Sequence, residues 1–213
     1  MTLLLLSSLA SATDLEVNAE VGRLEFAKGH WELFDYNQVQ PTFGVRADWH
    51  KTSRLGFSAS YAHLVTGGHN STWDYWDYWE EEAGSSESTP GANEGFDASF
   101  RGHLVGLGVR GGMDLWGWFN PYATVEARGL HAVVRLDDDP YDDDNPNQIT
   151  TRGTTLGGVA ALGLDVRIPT KYGWAISHNL ELGYQAMLPL NIGELGSLAV
   201  RGLHVRAGAG VRF

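Results

Sequence analysis

The chain has 213 residues, 43% of them apolar, with a formal net charge of −11 and no cysteine. These values exclude a disulfide scaffold, thiolate metal sites and a cysteine nucleophile, and with no run of about 18 apolar residues they exclude a helical membrane span. The 27 glycines, 8 tryptophans and 8 tyrosines are poor material for helices and ordinary material for curved strands with aromatic girdles. Acidity is local. Residues 66–97 hold 8 acids and 137–150 hold 6, both without Lys or Arg, leaving 12 acids against 15 bases elsewhere. No basic patch with interleaved aromatics occurs, so nucleic acid is not an expected partner.

The first twelve residues, MTLLLLSSLASA, join a leucine run to Ala10-Ser11-Ala12, an A-x-A cleavage pattern. They are expected to be a signal peptide without its usual basic start, followed by one domain over 13–213. Period-two alternation then marks eight strand candidates. Residues 15–26 put Leu15, Val17, Ala19 and Val21 on one face and then change phase to Leu24 and Phe26. Residues 43–50 set Phe43, Val45, Ala47 and Trp49 against Gly44, Arg46, Asp48 and His50. Residues 55–61 set Leu55, Phe57, Ala59 and Tyr61 against Gly56, Ser58 and Ser60.

Residues 66–97 form a long connection. It opens on a dense aromatic block, Trp73, Tyr75, Trp76, Tyr78 and Trp79, and continues as a Gly/Ser/Pro-rich loop. Residues 99–110 read in either phase. Residues 122–136 begin with Ala123, Val125 and Ala127 against Thr124, Glu126 and Arg128, then slip near Gly129. A β-bulge is the expected cause of such slips. The acidic loop follows, with Asp137, Asp139, Asp142 and Asp144 among its carboxylates as a weak candidate for calcium. It lacks the glycine and distal glutamate of an EF-hand.

Residues 156–168 alternate Leu156, Leu162, Leu164, Val166 and Ile168 with positions that include Asp165 and Arg167. Residues 174–188 alternate Trp174, Ile176, Leu180, Leu182 and Tyr184 with Ser177, Asn179, Glu181 and Gln185; His178 falls on the apolar face. The last strand sets Leu203, Val205, Ala207, Ala209, Val211 and Phe213 against His204, Arg206 and Arg212. Connections alternate, short at 51–54, 111–120 and 169–173, longer at 28–41, 66–97, 137–151 and 189–197. The expected fold is all-β: an antiparallel up-and-down transmembrane barrel of about eight strands, with short periplasmic turns and long extracellular loops.

One face is almost purely apolar, and the other mixes glycine and serine with Arg46, Asp48, Glu126, Arg128, Asp165, Arg167, Glu181, Arg206 and Arg212. A sparse, sign-balanced set suits a narrow lumen; a solvated surface carries more lysine than the 3 found here. Trp49, Tyr61, Trp116, Trp118, Phe119, Tyr122, Tyr172, Trp174 and Phe213 lie at strand ends, as girdles do.

The closing Val211-Arg212-Phe213 resembles the C-terminal signature of bacterial outer-membrane barrels of OmpA-, OmpX- and OmpW-like kind. That resemblance implies an outer-membrane location and reading of Phe213 by the barrel-insertion machinery. The run Asn120-Pro121-Tyr122-Ala123-Thr124-Val125-Glu126 is similar to the Pro-Tyr-x-x-x-Gly strand opening of small barrel domains, with Glu126 or Ala127 in place of the glycine.

Three functional readings stand side by side. In the first, Arg–carboxylate pairs fill the lumen and the aromatic and acidic loops meet lipopolysaccharide, a glycan or a surface partner. In the second, the barrel conducts small or apolar solutes, with Arg206 or Arg212 exchanging partners and His50 and His204 adding pH sensitivity. The third is a rim enzyme acting on lipid through His63, His69 or Ser177-His178, for which no G-x-S-x-G or H-E-x-x-H motif is present. No cofactor is implied.

Overall fold

The computed structural model describes residues 14–27, 39–51, 54–68, 97–113, 115–137, 148–193 and 196–213. Among them, eight long strands close into one antiparallel barrel. They are β1 (Asp14–Glu25), β2 (Val39–His50), β3 (Leu55–Gly68), β4 (Asp97–Gly112), β5 (Phe119–Asp137), β6 (Gln148–Pro169), β7 (Ala175–Met187) and β10 (Arg201–Arg212). Two short strands, β8 (Leu190–Asn191) and β9 (Ser197–Leu198), make a separate hairpin between β7 and β10. Strands adjacent in sequence are adjacent in the wall, and β10 returns to pair with β1, from Glu16 opposite Arg212 to Gly22 opposite Arg206. Phe213 completes the seam: its N–H donates to the Leu15 carbonyl at 2.8 Å. Closure removes the sheet edge, which is what a strand must do where no water can satisfy its backbone.

Both termini of the barrel lie at one end, here the near end, with the short connections at 51–54, 113–118 and 170–174. The longer connections lie at the far end. Strand length exceeds what a bilayer needs: β5 has 19 residues and β6 has 22, whereas about 9–11 tilted residues cross.

The surplus explains the broken alternation. In the near part of the barrel the outward face is apolar, with Val17, Val45, Phe57, Leu107, Val125, Leu162, Leu180 and Leu182 all exposed. A continuous band of that kind belongs in hydrocarbon. Its inward face is polar and buried. In the far part the polarity inverts. Leu24, Phe26, Leu64, Phe100, Leu104, Leu130, Ala132 and Val134 point inward into one apolar cluster. At the same height Arg101, His103, His131 and Arg135 point outward and are exposed. That half is arranged as a soluble barrel is, oil inside and water outside.

The expected bulges are therefore absent at these places. Strand β1 pairs residue for residue with β2, from Asp14 opposite His50 to Glu25 opposite Val39. Strand β5 runs in unbroken register against both neighbours. The chain keeps its phase past Leu24 and Gly129; what changes is the medium on each side of the wall.

The β8–β9 hairpin turns into the far mouth. Leu190, Ile192, Leu198 and Val200 are buried against the apolar cluster. It is tied to β1 by the Phe26–Val200 bridge and to β6 through Thr155, whose hydroxyl donates to the Leu188 carbonyl at 2.6 Å. Gly153 leaves room for it, since a Cβ there would fall on the Asn191 carbonyl.

Candidate functional site: the filled lumen

The near part of the lumen holds a continuous charge network. Alternation on β2, β5, β6, β7 and β10 aims Arg46, Asp48, Glu126, Arg128, Asp165, Glu181 and Arg206 inward, and each is buried. Glu181 is its hub. It pairs with Arg46, and with Arg206 at 2.6 Å; it accepts from the Tyr122 hydroxyl at 2.9 Å and has His204 Nε2 at 3.5 Å. Arg46 also reaches Asp48 at 2.9 Å and Glu20 at 3.1 Å. Arg206 also reaches Glu126 at 3.3 Å and Glu20 at 3.4 Å.

Toward the near end, Arg110 bridges Asp48 at 3.3 Å and Asp165 at 3.2 Å, and its guanidinium sits 3.5 Å from the Tyr122 ring centroid. Arg167 pairs with Asp165 at 2.7 Å. Glu16 accepts from Asn18 at 2.9 Å and has His50 at 3.6 Å. Arg212 stands at the rim, paired with Asp14 at 2.6 Å. Toward the far end, Glu126 takes Arg128 at 2.9 Å and the Ser60 hydroxyl at 2.6 Å. Arg128 continues to Gln185 at 3.3 Å and His204 at 3.4 Å. The apolar cluster begins directly above, at Leu104 and Leu130.

Small residues make room for these side chains. A Cβ on Gly106 would fall on the Glu126 carboxylate, and one on Gly163 would fall on the Tyr122 ring. A cavity of about 20 Å³ between Glu20, Ser60, Arg128 and Arg206 has room for about one water. Buried charges matched this closely exchange hydration for one another and for hydrogen bonds. Their net effect on stability is small, but removing one member strands its partners.

Several expectations need correction or extension. Tyr122 is not part of a girdle: it is buried in the lumen, its ring over Gly163. Glu16, Glu20 and Arg110 belong to the network and were not singled out above. The β1 acids were legible as the polar face opposite Val17 and Ala19, whereas Arg110 was hidden by the two readings of β4. Ser177 and His178 point to opposite faces; the Ser177 hydroxyl donates to Asn18 at 3.0 Å inside the lumen while His178 is exposed outside, so they form no dyad. His63 stands on the outward face beside His103, with ring centroids 4.7 Å apart.

Residues 1–12, His69, the aromatic block Trp73, Tyr75, Trp76, Tyr78 and Trp79, and Asp139, Asp142 and Asp144 lie outside the described residues. Asp137 ends β5. Among the described residues no cluster of three or more His, Cys, Asp or Glu could hold a metal ion.

No protein-family model matches the chain, and no curated protein matches it. Among solved structures it is similar to Ail, the attachment invasion locus protein of Yersinia pestis, in complex with the heparin analogue sucrose octasulfate. That match has 13% identity and a TM-score of 0.47, over 94% of this chain and 98% of that one. It is similar to the outer membrane protein OprG from Pseudomonas aeruginosa, with 10% identity and a TM-score of 0.46 over 95% and 96%. It is also similar to the N-terminal β-barrel domain of Pseudomonas aeruginosa OprF, with 12% identity and a TM-score of 0.41 over 94% and 97%.

Proposed function

We propose that the chain is an integral outer-membrane barrel that does not conduct, and that serves as a structural or surface-interaction protein through its far-end loops. The observation that carries this is the doubly filled lumen: a buried ion-pair network in the near part, then an apolar cluster capped by the β8–β9 hairpin. Charge pairing opposes ion entry from one side, and dry apolar packing opposes water from the other. The near end is periplasmic and the far end extracellular in this reading, with 1–12 removed on export and Phe213 offered to the insertion machinery. The aromatic block at 73–79 and the acidic loop then meet outer-leaflet lipopolysaccharide, a glycan or a partner at the cell surface.

The test is single-channel conductance of the refolded chain in a planar bilayer, after a heat-dependent gel shift has shown folding. A silent bilayer is expected. Discrete, reproducible steps would replace this reading with the solute channel, the alternative that needs a continuous path past Arg206 and Phe100.

A further inference from the structure

The outward face of β3–β6, just beyond the apolar band, carries an unusual set of side chains. Three histidines stand side by side across three strands: His63 is the register partner of His103, and His103 of His131. Below them the outward positions are Tyr61, Val105, Gly129 and Leu156, the upper edge of the apolar band. Above them Arg101 faces Val133, which faces Arg152, and one step higher Ser99 faces Arg135. All three arginines are exposed, and among the described residues no carboxylate pairs with any of them. Acids return only at the strand ends, where Asp97 and Asp137 are register partners.

A single-sign patch of this kind is not explained by folding. None of the three arginines faces a carboxylate across the sheet, and the chain as a whole is strongly acidic. The histidines present donors in either charge state. The Tyr61 hydroxyl lies 2.8 Å from His103 Nδ1; with the hydroxyl donating, the imidazole hydrogen sits on Nε2. Arg101 on β4 and Arg152 on β6 are two strand spacings apart, roughly 10 Å.

We propose that this patch binds the phosphates of an outer-leaflet phosphoglycolipid. The patch occupies the headgroup level, its arginines match phosphate oxygens, and the apolar band beneath it offers a wall for the acyl chains. The histidines supply further N–H donors at the boundary. The inference rests on the outer-membrane reading above, and on the far end facing outward.

The experiment is native mass spectrometry of the full chain, refolded in detergent, with diphosphoryl lipid A as probe. Wild type is expected to retain diphosphoryl lipid A in preference to the dephosphorylated lipid. The double variant R101Q/R152Q is expected to lose about tenfold in affinity (~1.4 kcal/mol), while R201Q, a charge loss on β10 away from the patch, leaves it unchanged. Equal retention of the phosphorylated and dephosphorylated lipids, or equal loss from R201Q, would overturn the proposal. Displacement by inorganic phosphate at the same phosphate concentration would overturn the lipid as occupant in favour of a free anion. A parallel alkaline extraction from vesicles separates the two failures. A protein that washes out refutes the membrane reading; one that stays inserted but shows no phosphate preference refutes only the patch.

Discussion

Replacing Glu181 by alanine removes the centre of the lumen network. The carboxylate is fully buried and holds Arg46, Arg206, the Tyr122 hydroxyl and His204. Truncation leaves the hydroxyl without its acceptor and two buried guanidinium groups with one partner fewer. Arg46 keeps Asp48 and Glu20, and Arg206 keeps Glu126 and Glu20, so neither cation is wholly orphaned. Breaking a buried pair costs about 3–5 kcal/mol, and the retained partners place E181A toward the low end of that range. Arg23 and Glu25 serve as the reference pair, at 2.9 Å but with side chains 30% and 31% exposed; E25A should cost about 1 kcal/mol or less. The assay is reversible urea unfolding in phosphatidylcholine vesicles, followed by tryptophan fluorescence. Y122F, alone and with E181A, closes a double-mutant cycle in which the hydroxyl's contribution disappears once the carboxylate is gone. An E181A loss no larger than that of E25A would refute the account of Glu181 as a hub.

Two further outcomes follow from packing. G163A places a methyl group against the Tyr122 ring and should cost about 1–3 kcal/mol in the same unfolding assay; G163A combined with Y122A should recover part of it. F100A opens the far cluster, where Phe100 meets Phe26 edge-on at 5.4 Å; a loss of about 3–5 kcal/mol is expected, and a loss under about 1 kcal/mol would mean the cluster is not packed as described.

The fold was legible because period two survives along most strands and the polar face is sparse. Residues 203–213 and 174–188 show their two faces from alternation alone, and the same alternation puts Arg46, Asp48, Glu126, Asp165, Glu181 and Arg206 on the polar face. What was not legible has one physical cause. Alternation reports which face is apolar, and its interpretation assumes that apolar means outward. Beyond Leu104 and Leu130 that assumption reverses, so β4 reads in either phase and β5 reads as slipping near Gly129. Tyr122 reads as part of a girdle because its place at a strand end says nothing of Gly163, the glycine opposite it on β6 that receives its ring. The β8–β9 hairpin left no periodic trace, being two residues on each side; its burial depends on a mouth that exists only once the barrel is closed.

The reversal of polarity along the wall also fixes how deep the protein sits. A barrel with uniform outer surface could ride up or down in a bilayer at little cost. Here sinking inward by two residues would drag His63, His103 and His131 toward hydrocarbon, and rising by two would lift Tyr61, Val105 and Leu156 into water. The wall therefore carries its own waterline, and β5 and β6 continue past it to Asp137 and Gln148.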